Sequence, residues 1–178
     1  VTKNHRMFVN PRNPVSMNWG LLAASNIFGK RVKYKKSGIW KGSKLNIPDI
    51  IDHQITPEQF STFMGWYLSE GNTCKVSKGY VTTIHQSKKV NPKNYNEIKE
   101  LIGDMGLTPI CQKDRISFNS KSMYLYLNRF GHSYEKYVPQ NIKDSHPQLI
   151  SLFIESYVKG GGTITDTGQR CIITLSTE

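Results

Sequence analysis

The sequence predicts an α+β fold: one αββαββα unit, the start of a second copy of it, and a shorter, mostly β segment in front. Three observations point there. Apolar residues recur with helical period between a start signal and a glycine stop. Short runs with strand character come in pairs joined at glycine or at polar turns. The succession of helix and hairpin then begins again near the C-terminal end.

Thr56-Pro57-Glu58-Gln59 is a capping box with proline at the first helical position, so the threonine side chain and Gln59 satisfy each other's backbone N–H groups. Phe60, Phe63, Met64 and Tyr67 follow with helical spacing, and Gly71 ends the helix. Residues 73–77 and 80–86 are strand-like and meet at Lys78-Gly79 as a hairpin. Asn91-Pro92 opens a second helix with Tyr95, Ile98, Leu101, Ile102 and Met105 on one face, and Gly106 stops it. Residues 107–112 and 115–119 make another hairpin, and 122–130 a third helix. Ser145-His146-Pro147-Gln148 repeats the capping-box logic and opens a fourth helix. Residues 163–166 and 170–175, joined through Thr167-Gly168, repeat the first hairpin. The expected divisions are residues 1–50, 51–146 and 147–178. A chain that opens on Val1 and stops inside a strand-like run at Glu178 reads as an internal fragment of something longer.

Twenty-four Lys and Arg against 13 Asp and Glu leave a formal net charge of +11. Such an excess favours a polyanionic partner, most often nucleic acid. Cys74, Cys111 and Cys171 are isolated and fit neither a zinc site nor a disulfide framework. A reducing compartment is expected, the cytoplasm of a bacterial, phage-infected or archaeal cell. No apolar run approaches membrane length and no signal peptide is visible, so no membrane partner is expected. Residues 30–44 hold seven Lys or Arg among glycines, serines and aromatics, leading to a linker around Ile47-Pro48-Asp49. A solvated connector and a direct nucleic-acid contact both remain open for this stretch.

The most informative feature is a pair of related helix ends. Phe63-Met64-Gly65-Trp66-Tyr67-Leu68-Ser69-Glu70-Gly71 and Ile154-Glu155-Ser156-Tyr157-Val158-Lys159-Gly160-Gly161-Gly162 each carry small residues four apart, Gly65 and Ser69 in one, Ser156 and Gly160 in the other. Residues at i and i+4 share a helix face, so two such helices can pack with their backbones unusually close. Their C-terminal ends then meet, bringing Glu70 to the position where its counterpart is Gly161. The pattern is that of a paired-carboxylate site on a pseudo-twofold axis with one carboxylate missing.

Both stretches resemble the LAGLIDADG motif of homing endonucleases, in which each copy ends in an acid followed by glycine. Glu70-Gly71 keeps that ending and Gly161-Gly162 does not. Gly131-His132-Ser133-Tyr134-Glu135-Lys136-Tyr137-Val138-Pro139 is similar to the Lys-x-[Ile/Val]-Pro block between the two motifs of intein-encoded members. The resemblance covers residues 57–162. It implies the LAGLIDADG homing endonuclease fold, a double-stranded DNA partner, a monomer with internal pseudo-symmetry in the full-length protein, and Mg²⁺-dependent phosphodiester hydrolysis. Glu70 is then the catalytic acid and metal ligand, and Lys136 the basic residue near the metal. Glycine at 161 offers no ligand, and neither Glu155 nor Asp166 is placed to replace it. Because one carboxylate can still help bind Mg²⁺, nicking of one strand and complete inactivity both stay open.

Paired hairpins form a twisted ribbon that suits a major groove. The polar and basic residues on and beside them are Lys75, Lys78, His85, Gln86, Lys88, Lys89, Lys113 and Arg115. Gln and Arg can read base edges, while Lys more often contacts phosphate. Strand alternation gives only half of the strand positions to a DNA face.

The segment in front opens Val1-Thr2-Lys3-Asn4-His5, which is similar to the Thr-x-x-His block of Hint domains, the self-splicing fold of inteins. The resemblance implies that Thr2 and His5 polarise an upstream splice junction and that host exteins flank the intein. A competing nuclease pattern, Pro48-Asp49 with Glu97-Ile98-Lys99, needs Glu and Lys on a strand. They sit in a helical window, so that pattern is rejected. A different reading stays open: a catalytically degenerate DNA-binding module of the same type within an intein.

Overall fold

The computed structural model describes residues 2–11, 19–34, 40–42, 44–77, 79–164 and 170–172. Lys78, Asp166 and the Thr167-Gly168 turn fall outside them. The chain forms two compact units, Val1–Lys41 and Gly42–Glu178.

The first unit is an antiparallel three-stranded sheet with strand β1 (Arg6–Pro11) between β2 (Gly20–Ala23) and β3 (Val32–Tyr34). A short helix α1 (Ala24–Ile27) follows β2. Val9 in the central strand is fully buried, and Phe8 stacks on Trp19 with ring centroids 5.7 Å apart. The mostly β character expected of this segment is present.

The second unit opens with helix α2 (Pro57–Glu70), which starts at a complete capping box: Thr56 accepts from Gln59 N while the Gln59 side chain accepts from Thr56 N. Phe60, Phe63, Met64, Trp66 and Tyr67 are all fully buried, so α2 is the central helix of the core rather than a surface helix with one apolar stripe. Strands β4 (Gly71–Val76) and β5 (Gly79–His85) follow as the expected hairpin. Helix α3 (Pro92–Asp104) turns Tyr95, Ile98 and Ile102 inward and ends at Gly106, whose φ of +74° is the left-handed conformation a helix stop favours.

Strand β6 is only Ile110–Cys111, because Leu107 folds into the core behind α3 instead of extending the strand. It pairs with β7 (Arg115–Asn119), giving a four-stranded antiparallel sheet in the order β4-β5-β7-β6. Helix α4 (Lys121–Leu127), capped by Ser120, runs into a 3-10 turn over Asn128–Phe130. A short helix α5 (Gln140–Lys143) precedes α6 (Pro147–Gly161). The cap of α6 differs from expectation. His146 Nδ1 accepts from Gln148 N (3.3 Å), while Ser145 is buried and donates to the Ile142 carbonyl (2.7 Å). Strands β8 (Gly162–Ile164) and β9 (Arg170–Ile172) then pair antiparallel. Helix-into-hairpin therefore occurs twice, α2 into β4–β5 and α6 into β8–β9. Among the described residues no helix is long and apolar enough to cross a membrane.

Candidate nuclease centre and nucleic-acid surface

Helices α2 and α6 pack backbone to backbone, and the four small residues are the reason. A Cβ on Gly65 would run into Ser156 Oγ and the Phe153 carbonyl, and would lie 2.9 Å from Tyr157 N. A Cβ on Gly160 would run into Ser69 Oγ and lie 2.9 Å from Ser69 Cβ. Gly65 thus faces Ser156, and Ser69 faces Gly160. Each contact joins equivalent positions of the two motifs, the signature of a twofold relation. The serines need nothing from across the interface. Ser69 Oγ donates to the carbonyls of Gly65 (3.0 Å) or Trp66 (3.1 Å), and Ser156 Oγ to those of Leu152 (2.8 Å) or Phe153 (3.1 Å). Satisfied inside their own helices, they act at the interface only through their small size.

Both helices end the same way. Gly71 and Gly162 are the C-caps, both in extended conformation, and each begins the following strand. At Gly71 a side chain is excluded, since a Cβ would run into the Tyr67 ring. One residue before each cap stand Glu70 and Gly161. A Cβ built on Gly161 would lie 4.0 Å from Glu70 Oε1 and 3.6 Å from Ser69 Cβ, ordinary contact distances. Position 161 is therefore adjacent to the acid and sterically open to a side chain.

A carboxylate at a helix C-terminus faces unpaired carbonyls and the negative end of the dipole. Lys136 supplies the opposing charge. Its ammonium donates to the carbonyls of Tyr67 (2.8 Å) and Gly71, and lies 4.8 Å from the Tyr67 ring centroid. Burial lowers the Lys136 pKa to about 8, against the pull of Glu70, which raises it. Burial likewise raises the Glu70 pKa, against the pull of Lys136. The segment carrying Lys136 is held by a tight turn. Gly131 has a φ of +67°, and a Cβ there would run into the Glu135 carboxylate, which accepts from His132 N (2.8 Å). Glu70, Asn72, His132, Glu135 and Lys136 line a cleft of 540 Å³.

Lys159, on the last turn of α6, faces elsewhere: it pairs with Glu97 of α3 (2.7 Å) and with Glu155 (3.4 Å). Glu97 and Lys99 lie in α3 as expected. Among the described residues no group of three or more His, Cys, Asp or Glu could hold a metal ion. Of the two equivalent helix-end positions only Glu70 offers a carboxylate, while Glu135, which also lines the cleft, accepts from His132 N.

The strand register sorts the expected DNA contacts. Ile84 and Ile116, then Thr82 and Phe118, pair across the inner face and are fully buried. His85 and Arg115 pair on the outer face, in line with Asn72, Thr83, Ser117 and Asn119. His85 is exposed and its Nε2 contacts Asn72 Oδ1 (3.1 Å). Arg115 is engaged by its own neighbour, donating from Nε and Nη2 to the two oxygens of Asp114 (3.1 and 3.0 Å). Gln86 departs from expectation. It is buried at 8% exposure and its oxygen accepts from Asn91 Nδ2 (3.1 Å). Lys75 has inner-face parity and lies over Tyr80, at the hairpin's end. Lys88, Lys89 and Lys113 are exposed beside the strands. Asn72 and Asn119, exposed on the outer face, were passed over in the sequence; alternation from His85 would have found them. In the first unit Thr2 and His5 are exposed and share a turn in which His5 N donates to the Thr2 carbonyl (3.0 Å).

No family profile matches the chain. It is 26% identical over 189 residues to a Chlamydomonas moewusii protein named ATP-dependent Clp protease proteolytic subunit, an alignment that takes in 93% of this chain and 19% of that protein. The chain thus spans 19% of that relative's length. Similar solved structures include mesophilic variants of the homing endonuclease I-DmoI, at a TM-score of 0.40 and 13% identity over 60% of this chain and 63% of that one. A further I-DmoI variant, in complex with its target DNA in the presence of Mg, gives a TM-score of 0.41 and 16% identity over the same shares.

Proposed function

We propose that the second unit is a LAGLIDADG-type homing endonuclease unit that binds a long site in double-stranded DNA along the outer face of its sheet and carries an impaired centre for phosphodiester hydrolysis. The observation that carries the reading is the reciprocal contact of Gly65 with Ser156 and of Ser69 with Gly160. That contact puts Glu70 beside Gly161 where two helix-to-hairpin junctions meet. Mg²⁺ takes one or two carboxylates together with phosphate oxygens and waters, and Glu70 fits as the single protein carboxylate. When bound, the ion would supply electrostatic stabilisation to the phosphate and the leaving oxygen. Lys136, tied to the end of α2, holds a positive charge near Glu70 that opposes the burial raising the Glu70 pKa. A net charge of +11 suits the partner.

Gly161→Asp tests the reading, on a supercoiled plasmid carrying the host gene without the interruption, in Mg²⁺. The present sequence is expected to leave the plasmid intact or nicked, and the variant to linearise it. An increase on the order of a hundredfold corresponds to a few kcal/mol of transition-state stabilisation. Adding Glu70→Gln should remove the gain, because a neutral amide is a far poorer Mg²⁺ ligand. Efficient linearisation by the present sequence would overturn this assignment of Gly161. Gly161 also favours a second reading, a degenerate DNA-binding module; it predicts unchanged duplex binding and no cutting by either protein.

The finer reading places the unit inside an intein, with Thr2 and His5 polarising the upstream junction. It is supported by the shared Thr2–His5 turn and by an alignment with 19% of a longer protein named for another activity, the relation an in-frame insert produces. In a precursor with both flanks, His5→Ala should block splicing without changing duplex binding.

A further inference from the structure

The turn that joins β6 to β7 delivers an arginine whose side chain is already oriented. Arg115 opens β7 on the outer face of the sheet, in the row with His85. Its Nε and Nη2 donate to the two oxygens of Asp114 (3.1 and 3.0 Å), so one side edge of the guanidinium lies flat against a carboxylate. That pairing holds the Asp114 carboxyl below its ordinary range, helped by the charge of His85, and holds the Arg115 guanidinium above its own.

The turn is fixed by other bonds. Gln86 N donates to the Asp114 carbonyl (2.9 Å), Lys88 N to the Lys113 carbonyl (3.0 Å) and Gln112 N to the Arg115 carbonyl (2.9 Å). From α3, Tyr95 Oη donates to the Gln112 carbonyl (2.7 Å). An exposed ion pair contributes little to stability, so the Asp114–Arg115 contact is not explained by folding. Nor is it explained by attraction for phosphate. Lys88, Lys89 and Lys113 stand exposed beside it as phosphate contacts of the ordinary kind, and a carboxylate among them works against that attraction. What the carboxylate supplies is direction. It orders a long, flexible side chain in advance and leaves the far edge, Nη1 with the second hydrogen of Nη2, pointing away from Asp114. Two parallel donors on a planar edge match the O6 and N7 acceptors that guanine presents in the major groove.

We propose that Asp114 is a positioning residue that presents Arg115 to a guanine base, which makes the pair a sequence-reading element of the outer face rather than a phosphate contact. The inference rests on the DNA-binding reading above. It gives an acidic residue a part in recognition, and it names the base that Arg115 selects.

The test is selection from a duplex library of random sequence, without divalent ion, followed by sequencing of the bound fraction. The present sequence should enrich guanine at one position by about fivefold to a hundredfold over the other bases, the range of one bidentate contact. Arg115→Lys keeps the charge and loses the fork, so it should erase that preference and spare the others. Asp114→Asn should lower the same preference several-fold and bind non-specific duplex at least as tightly as the present sequence, since a negative charge has gone. A merely structural part in the turn would weaken every position together, and that result overturns the proposal. So does an unchanged guanine preference in Asp114→Asn, or a base other than guanine at the position that Arg115→Lys affects. If the present sequence retains no duplex at all, the DNA-binding reading fails instead.

Discussion

The ends of α2 and α6 are built alike and charged differently. Each helix presents its small residues to the other, back-bonds its serine, and leaves through an extended glycine into a hairpin. Then they diverge. The α2 end carries Glu70 and is closed by a lysine from 66 positions further along the chain; the α6 end carries Gly161, and its nearest lysine, Lys159, is committed to Glu97 and Glu155. Packing symmetry and chemical symmetry are therefore separable. Close helix approach is enforced at 65, 69, 156 and 160, and position 161 lies one residue outside that contact. Residue 161 can therefore vary without disturbing the interface.

Neighbouring glycines should consequently behave in opposite ways. Gly65→Ala forces a methyl group against the Phe153 carbonyl, which is backbone and cannot swing aside. Overpacking of this kind costs about 1–3 kcal/mol, several degrees in melting temperature. Gly161→Ala meets only ordinary contacts and replaces the poorer helix former, so its effect should lie between zero and about 1 kcal/mol of stabilisation. Thermal melts of the two variants side by side measure the contrast. Equal destabilisation would mean that position 161 is part of the packed interface after all.

Gly161→Asp sharpens the comparison through charge. Without a divalent ion the new carboxylate sits near Glu70 and at a helix C-terminus. It should lower stability by roughly 1 kcal/mol, the size of a like-charge contact at about 4 Å in a wet site. Adding Mg²⁺ in place of chelator should raise the melting temperature of the variant by more than it raises that of the present sequence, because only the variant offers two carboxylates. Identical Mg²⁺ shifts in both proteins would sink the idea that these helix ends form one metal site.

A pH-dependent effect concerns the lysine that distinguishes the α2 end. Its folded pKa of about 8 lies below the ordinary 10.5. Between those values the unfolded chain binds more protons than the folded one, so this group makes stability rise with pH across that window. Below about pH 8 the burial penalty is fully present. Lys136→Met should flatten the rise in denaturant midpoint between about pH 8 and 10 relative to the present sequence. A rise that persists unchanged would show that Lys136 is not the group responsible.

How far the sequence reached depends on the range of the interactions. The capping box at Thr56, the stop at Gly106 and the β4–β5 hairpin are set within a few residues by backbone chemistry; the first two lie where the spacing put them, and the hairpin strands begin and end one or two residues earlier than expected. The small residues four apart in each motif marked the faces of α2 and α6, because helical periodicity is local too. Their meeting at equivalent positions was a consequence of both faces needing a partner. Gln86 was legible as a polar residue at a strand end but not as a buried one, since its environment depends on Asn91 and on the turn at 113–114 docking against it. Arg115 carried a sequence signal in Asp114 beside it, yet only the turn geometry brings the guanidinium onto both carboxylate oxygens. The cap of α6 lies one position later than the spacing put it, because Ser145 turns inward to donate to the Ile142 carbonyl and His146 accepts from Gln148 N in its place.

By itself the sequence determined most of the helices and hairpins, that two helix faces are small enough to touch, and that Glu70 at one helix end is matched by a glycine at the other. The tertiary structure decided what surrounds Glu70. Lys136 reaches the carbonyls of Tyr67 and Gly71 from 69 and 65 positions away, and the pKa changes at Glu70 and Lys136 come from burial that no single segment possesses. Backbone preferences act over one turn of chain, whereas charge, burial and steric exclusion act through space. The end of α2 is where the second kind takes over from the first.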